Sequence, residues 1–218
     1  MKEQISLADL VDLIEKVCID MEAAGDRLTE IDAKSGDGDL GVSVRLGFAA
    51  VRKGLPEFST VDVGTMLMKS GAVFNAAGAS TFGTLMATAF LRAGRTVKGK
   101  TEIGLDDIAE MTRSAVDGIR ERGKAAPGER TMLDALIPAQ EALMAYSQSA
   151  RRLGDALAAA ADAAWKGTEA TAGMEARHGR AGWIGKRLVG LPDAGATAIA
   201  ILLSSLATHA SGTRQPTG

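Results

Sequence analysis

One cysteine, Cys18, stands in 218 residues, which excludes an internal disulfide. It falls on the apolar side of a helical pattern and reads as a buried, inert thiol rather than a reactive one. Aromatic residues make up only 4% of a chain that is 46% hydrophobic, so a core must be built from alanine and aliphatic side chains. Small residues of that kind let helices approach closely. The net charge is −2, and no basic run or arginine stripe interleaved with aromatics occurs, which argues against a nucleic-acid partner. No run of about 18 apolar residues is present, so no membrane span is expected. The start, Met-Lys-Glu-Gln-Ile, has no apolar signal region, and a cytoplasmic location is expected. Alternating runs of β-branched residues bounded by hairpin turns are also missing, so no strand is expected.

Helical periodicity fills nearly the whole chain. Ser6 and Asp9 form a helix-start signal, followed by Leu7, Leu10, Val11, Ile14, Val17 and Cys18 at three- and four-residue spacing. This helix should fade near Gly25, with a further turn to Ile31. A second should run from about Gly41 to Arg52 and stop before Gly54 and Pro56. Thr60 can cap a third, and a fourth follows over about Thr84 to Ala93. A fifth covers Leu105 to Arg122, a sixth Met132 to Tyr146, a seventh Ser149 to Met174, and an eighth Gly195 to His209. The fold class is all-α. Short connections make neighbours antiparallel, which implies an eight-helix up-and-down barrel or bundle. Residues 1–210 read as a single domain, and 211–218, polar with a proline, as a disordered tail.

One loop carries a dense acidic motif, Asp32-Ala-Lys-Ser-Gly-Asp37-Gly-Asp39-Leu-Gly41. Its Gly-Asp-Gly-Asp-Leu-Gly core matches a dinucleotide fingerprint in letters only, because a helix and not a strand precedes it. Three carboxylates, Asp32, Asp37 and Asp39, fall within eight residues. Magnesium takes such oxygen ligands and keeps other positions for water and phosphate. The glycines let the carboxylates converge, and the helix that follows offers its N-terminus to phosphate. The bland alternative is a turn with Asp39 capping the next helix, and spacing alone does not choose between them.

Four other loops carry candidate residues. Gly78-Ala-Ser80-Thr81-Phe82-Gly83-Thr84 precedes a helix start, where small and hydroxyl residues either cap the helix or cradle phosphate. Arg122-Gly123-Lys124-Ala-Ala-Pro127-Gly128-Glu-Arg130-Thr131-Met132 offers Thr131 as a cap, or Gly123 and the helix start as a nucleotide contact. Gly179-Arg180-Ala181 offers a guanidinium that could clamp phosphate or form a surface ion pair. In Pro192-Asp193-Ala-Gly195-Ala-Thr197, Asp193 can cap the last helix or meet a ligand. In an up-and-down bundle alternate loops share one end, so all these residues should gather there.

The chain resembles, over essentially its whole length, the L subunit of dihydroxyacetone kinases. The pieces that carry the resemblance are Gly36-Asp-Gly-Asp39, Arg122-Gly-Lys-Ala-Ala-Pro-Gly128, Arg130-Thr-Met-Leu-Asp134, Gly179-Arg-Ala181 and Pro192-Asp-Ala-Gly-Ala-Thr197. The resemblance implies an eight-helix barrel in which Asp32, Asp37 and Asp39 hold two magnesium ions on the phosphates of ADP or ATP. It implies nucleotide contacts at Gly41, Val42, Ser43, Ser80, Thr81, Gly83, Gly123, Thr131, Met132, Arg180, Asp193 and Gly195, with Arg180 as the catalytic group. It further implies a separate K-type subunit that holds a short ketose or aldose through a histidine. This chain has only His178 and His209, and neither sits in such a motif. A phosphotransferase-system M-type protein that recharges ADP from phosphoenolpyruvate is a second implied partner, and a homodimer stays open. Leu40 stands where the family commonly has histidine, and the Gly-Gly-Ala-Ser-Gly loop of the family becomes Ala79-Ser-Thr-Phe-Gly83. Other readings are a related fatty-acid kinase component and a nucleotide-dependent regulatory module.

Overall fold

The computed structural model describes residues 4–149, 152–178 and 190–210. Nine α-helices occur among them: α1 (Leu7–Ala23), α2 (Gly25–Asp32), α3 (Asp39–Phe58), α4 (Val63–Ala77), α5 (Thr81–Thr96), α6 (Leu105–Gly123), α7 (Leu133–Ser147), α8 (Leu153–Ala170) and α9 (Ala194–Ala210). One turn of 3-10 helix, Thr171–Gly173, follows α8. Each helix packs on the next, and α9 packs back on α1, so the ring is closed. With α1 and α2 taken as one bent helix, the ring has the eight members that the periodicity implies. No helix among the described residues is long and apolar enough to cross a membrane. The expected tail 211–218 and the segment Gly179-Arg180-Ala181 lie outside the described residues.

The bend between α1 and α2 falls at Ala24, where α2 swings in against α3. Gly25 and Gly41 face each other at that crossing. A Cβ on Gly41 would collide with the Gly25 carbonyl and come within 2.5 Å of the Thr29 nitrogen. Ser6 caps α1 as expected, its hydroxyl accepting from the Asp9 N–H (3.2 Å) and donating to the Asp9 carboxylate (2.7 Å). α1 begins beside the α5–α6 connection, where the Leu7 N–H donates to the Thr101 carbonyl. It finishes beside α3 and α9, through Glu22 to Arg52 and Asp20 to Ser205 and His209.

Several boundaries differ from the sequence expectation. No strand is expected, yet β1 (Gln4–Ser6) and β2 (Glu102–Gly104) pair antiparallel with Ile5 opposite Ile103. Three residues are too few to show alternation, and what selects the pair is burial of those two isoleucines. α3 continues through Pro56 to Phe58 instead of stopping before Gly54. The proline lies in the last turn and forfeits one bond to the Arg52 carbonyl. Burial of Leu55 and Phe58 offsets that loss, and the Phe58 ring lies over Gly54, where a Cβ would collide with it. α4 is capped by Asp62 rather than Thr60. The Asp62 carboxylate accepts from Thr65 N–H (2.8 Å) and from Gly99 N–H (3.1 Å) across the α5–α6 connection.

The core bears out the scarcity of aromatics. Phe74 is fully buried, edge-on to Phe48 at 5.1 Å between ring centroids, and it fills the space that Gly47 leaves. On the opposite side, α7, α8 and α9 meet through Ala135, Ala139, Ala156, Ala160, Ala164, Ala196 and Ala200, all fully buried. Pro138 leaves the Asp134 carbonyl without its helical donor. Gly167 packs directly on that carbonyl, at a spot where a Cβ would not fit. Cys18 is fully buried, and burial, with Glu22 adding, pushes its thiol up to about 12.

Candidate functional site

α3, α5, α7 and α9 begin at one end of the ring, where α2, α4, α6 and α8 finish. The acidic loop is built onto the last residue of α2. Ser35 and Gly36 N–H groups donate to the Asp32 carbonyl (2.9 and 2.6 Å) and turn the chain back. Gly38 then takes the left-handed conformation (φ 75°) and passes the chain into α3. The turn brings one carboxylate oxygen each from Asp32, Asp37 and Asp39 within 4.8 Å of one another. Around an octahedral magnesium ion at about 2.1 Å, neighbouring oxygens lie about 3.0 Å apart and opposite ones about 4.2 Å, so the three carboxylates would draw together by up to about 2 Å on binding one. The donors are all hard oxygens, Asp32 is half-buried, and the other two are exposed. These residues fit a magnesium ion.

The capping alternative for Asp39 does not hold. The first turn of α3 is capped from a distance, by the Asp32 carboxylate accepting from Leu40 N–H at 3.2 Å. No side chain of the N-cap position itself makes that bond. Asp32 thus ties the acidic loop to the helix N-terminus. Gly41 follows in the same turn, and its N–H has no acceptor within the helix; Val42 closes the first helical bond, to the Gly38 carbonyl. Gly41 has a packing reason to be glycine, the α2–α3 crossing. Ser43 is buried with its carbonyl against Gly78, so the second loop lies directly beside the start of α3. Leu40, at the position of the family histidine, is buried in the apolar core.

The α4–α5 loop and the end of α6 enclose an open cleft of about 550 Å³. Ser80, Thr81 and Gly123 line it, together with Asn75, Thr84 and Arg122. Thr84 donates to the Asn75 side chain at 3.3 Å. Ser80 also caps α5, accepting from Gly83 N–H at 3.0 Å. Gly83 does not line the cleft: it is buried against the Gly78 carbonyl, where a Cβ would collide. Asn75 carries no motif signal, because it belongs to the face of α4 that flanks the loop.

The third group joins the α6–α7 and α8–α9 connections. The Thr131 hydroxyl accepts from Leu133 N–H (3.2 Å), and Thr131 N–H donates to the Asp134 carboxylate (2.8 Å). Met132 is buried and faces Gly195. Asp193 caps α9 by accepting from Ala196 N–H at 2.8 Å, and its own N–H donates to the Thr171 hydroxyl at 2.8 Å. Desolvation raises the Asp193 carboxyl to about 6; the Ala196 N–H and the Arg130 charge oppose the rise, and Asp134 adds to it. Arg130, 3% exposed, adopts the left-handed backbone (φ 59°), a strain of roughly 1–2 kcal/mol. Its role is invisible in the sequence, since neither burial nor φ can be read from a charged residue in a glycine-proline loop. His178 bonds Glu129 at 2.6 Å. Arg180 lies outside the described residues.

The DAK2 domain model matches residues 34–208 of this chain, starting two residues after Asp32. The ADP-binding subunit DhaL of the PEP-dependent dihydroxyacetone kinase of Escherichia coli K12 is 34% identical over 183 residues, which cover 84% of this chain and 87% of that protein. The DhaL subunit of PEP-dependent dihydroxyacetone kinase 2 of Listeria innocua is 34% identical over 200 residues, covering 91% and 89%. Among solved structures, the dihydroxyacetone kinase of C. freundii in complex with AMP-PNP and Mg2+ aligns with a TM-score of 0.71 at 25% identity. The match covers 95% of this chain and 35% of that one, so this chain spans about a third of that kinase.

Proposed function

Because the chain belongs to the DAK2 domain family, we propose that it is the nucleotide-binding, phosphoryl-donating subunit of a dihydroxyacetone-type kinase. The observation that carries this reading is the gathering of three carboxylates at the N-terminus of α3, beside an open cleft. Two magnesium ions held by Asp32, Asp37 and Asp39 would supply charge neutralisation to the phosphates of ADP or ATP. The start of α3, over Gly41, Val42 and Ser43, presents the positive end of the helix to phosphate, with the Gly41 N–H as a donor that has no partner within the helix. Ser80, Thr81 and Gly123 shape the cleft for the nucleoside. Thr131, Met132, Asp193 and Gly195, on the α6–α7 and α8–α9 connections, are assigned the remaining nucleotide contacts. Arg180 is assigned the clamp on the moving phosphoryl group, where bidentate donation fits three equatorial oxygens.

The chemistry divides between two proteins. The bond between the terminal phosphorus and its bridging oxygen breaks, and ADP keeps that electron pair. A substrate hydroxyl forms the new phosphorus–oxygen bond and loses its proton to a base. This chain contributes the donor and its electrostatics. The hydroxyl, on a short ketose or aldose, and the base come with a separate K-type subunit. Support for this division is the pairing of an ADP-binding subunit name with close to full-length coverage in the E. coli and Listeria relatives.

Incubating the chain with a K-type subunit, dihydroxyacetone and Mg·ATP tests the reading. Phosphorylated product that disappears in Asp37→Ala is expected, and absence of product with a competent K-type subunit from a relative refutes it. Labelled ADP separates two donor cycles. Its retention over many turnovers means recharging by a phosphoenolpyruvate-driven M-type protein, and its exchange means one ATP per turnover.

A further inference from the structure

The open cleft beside the α4–α5 loop holds side chains that the proposed reaction leaves without a task. One is Asn75, exposed on the last turn of α4. Three residues on, about 4.5 Å along the helix axis, comes Gly78, which packs on the Ser43 carbonyl in the first turns of α3. The Asn75 amide therefore stands about one helical turn from the start of α3, inside the cleft assigned to the nucleoside.

The rest of the lining suits a base. None of the described lining residues is acidic. Ala79 and Leu85 supply apolar surface, and both Leu85 methyl groups lie within 3.8 Å of where a Gly123 Cβ would stand. Arg122 adds a planar cation of the kind that stacks on aromatic faces. Reading of the base edge falls to Asn75. The Thr84 hydroxyl donates to Asn75 Oδ1 at 3.3 Å. With one lone pair of Oδ1 engaged, the amide presents Nδ2 as a donor and the other lone pair as an acceptor. A donor beside an acceptor matches adenine, whose N7 accepts and whose N6 donates. Guanine shows acceptors at both N7 and O6, so its O6 would meet Oδ1 lone pair to lone pair.

We propose that Asn75 makes this subunit select adenine over guanine nucleotides, with Thr84 as the positioning residue that holds its amide. This rests on the kinase reading above, in which the cleft takes the nucleoside. Arg122 by itself would favour the other base, since a guanidinium pairs with O6 and N7 of guanine. It has no hydrogen-bonding or ionic partner among the described residues, so nothing orients its fork, whereas the Asn75 amide is held. A matched bidentate pair discriminates between bases by about fivefold to 100-fold, and in an open cleft the lower part of that range applies, about tenfold. Neither Asn75 nor Thr84 belongs to the acidic loop or to α3, so both can be altered with the proposed phosphate contacts in place.

Calorimetry with Mg·ADP, Mg·GDP and magnesium pyrophosphate tests this on the wild type, Asn75→Ala, Thr84→Val and Thr84→Ser. The wild type should bind ADP about tenfold more tightly than GDP. Asn75→Ala should lose about tenfold in ADP affinity and bring the two nucleotides within about twofold of each other, while pyrophosphate binding changes less than about twofold. Thr84→Val keeps the side-chain shape but frees the amide to turn over, so the preference for ADP should shrink about threefold; Thr84→Ser, which restores the hydroxyl, should recover it. Thr84→Val also serves as the second variant should Asn75→Ala fold poorly. Equal affinity of the wild type for ADP and GDP overturns the proposal, as does a preference that survives in Asn75→Ala. A wild-type preference for GDP overturns it too and hands the base edge to Arg122. Loss of pyrophosphate binding together with ADP binding in Asn75→Ala is the mark of a merely structural role and refutes it. In each of these cases a wild type that binds magnesium pyrophosphate leaves the kinase reading standing. A wild type that binds none of the three ligands ends both.

Discussion

Asp39→Asn separates a metal ligand from a helix cap, because the two roles predict opposite signs. In the metal-free protein three carboxylate oxygens lie within 4.8 Å of one another. Two unit charges at that distance repel by about 0.9 kcal/mol in the dielectric of water, and removing Asp39 relieves two such pairs, about 1.7 kcal/mol. Screening at about 0.1 M salt reduces this to about 1 kcal/mol. Asp39 also loses its attraction to the N-terminus of α3, about 0.5 kcal/mol. The balance is a stabilisation of about 0.5 kcal/mol, or a rise in Tm of about 1–2 °C for a chain of this size. The capping bond is untouched, since it belongs to Asp32. With Mg·ADP at about 100 times its Kd, the wild type should gain about 2.7 kcal/mol and the variant almost nothing. The order of stability therefore inverts: Asp39→Asn melts higher in EDTA and lower in Mg·ADP. Differential scanning fluorimetry reads both. A variant that melts lower in EDTA and responds to Mg·ADP like the wild type would refute the reasoning.

Gly41→Ala places a methyl group against the α2 backbone, and a backbone clash cannot be relieved by a rotamer change. Overpacking of about 1–3 kcal/mol, partly offset by the better helix propensity of alanine, should lower Tm by about 4 °C, and nucleotide affinity should fall with it because Asp32 ends α2. Loss of affinity at unchanged Tm would mean that Gly41 serves phosphate alone. Gly123→Val narrows the cleft that it lines, so ADP binding should weaken about tenfold while magnesium pyrophosphate binding holds, both read by calorimetry. Equal losses for both ligands would contradict the division between cleft and acidic loop. Asp193 favours its protonated form in the folded chain, with its carboxyl raised from 3.8 to about 6. The native state then binds the extra proton, so this group contributes stability below about pH 4 that is lost as pH rises to about 6, with a ceiling of roughly 3 kcal/mol. Asp193→Asn keeps an N-cap oxygen and should lack that loss, so the difference in Tm between the two proteins should shift across pH 4–6 and be flat above it.

Helix number, order and direction are legible in the sequence because each helix buries one face, and burial imposes its period. Boundaries are less so. Pro56 and Gly54 are strong stop signals locally, but the last turn of α3 is decided by where Leu55 and Phe58 find cover, which is tertiary. The cap of α4 is misassigned for the same reason. Asp62 is chosen over Thr60 because it also reaches Gly99, 37 residues away. In the site, the acidic loop is readable because all three carboxylates and both glycines lie in one short stretch. Asn75 escapes notice because it joins the cleft only after α4 and α5 pack. Glycines mislead in a particular way: Gly41 and Gly83 sit in ligand-like loops, yet each fills a place where two backbones touch.

The central claim is that the carboxylates of Asp32, Asp37 and Asp39 make nucleotide binding depend on magnesium. Titrating ADP into the chain by calorimetry, with magnesium and then with EDTA, tests it most directly. Binding in magnesium that vanishes in EDTA, and that vanishes equally in Asp37→Ala at unchanged Tm, is the predicted result. ADP bound as tightly in EDTA as in magnesium, or a wild-type chain that binds no ADP under either condition, would contradict it.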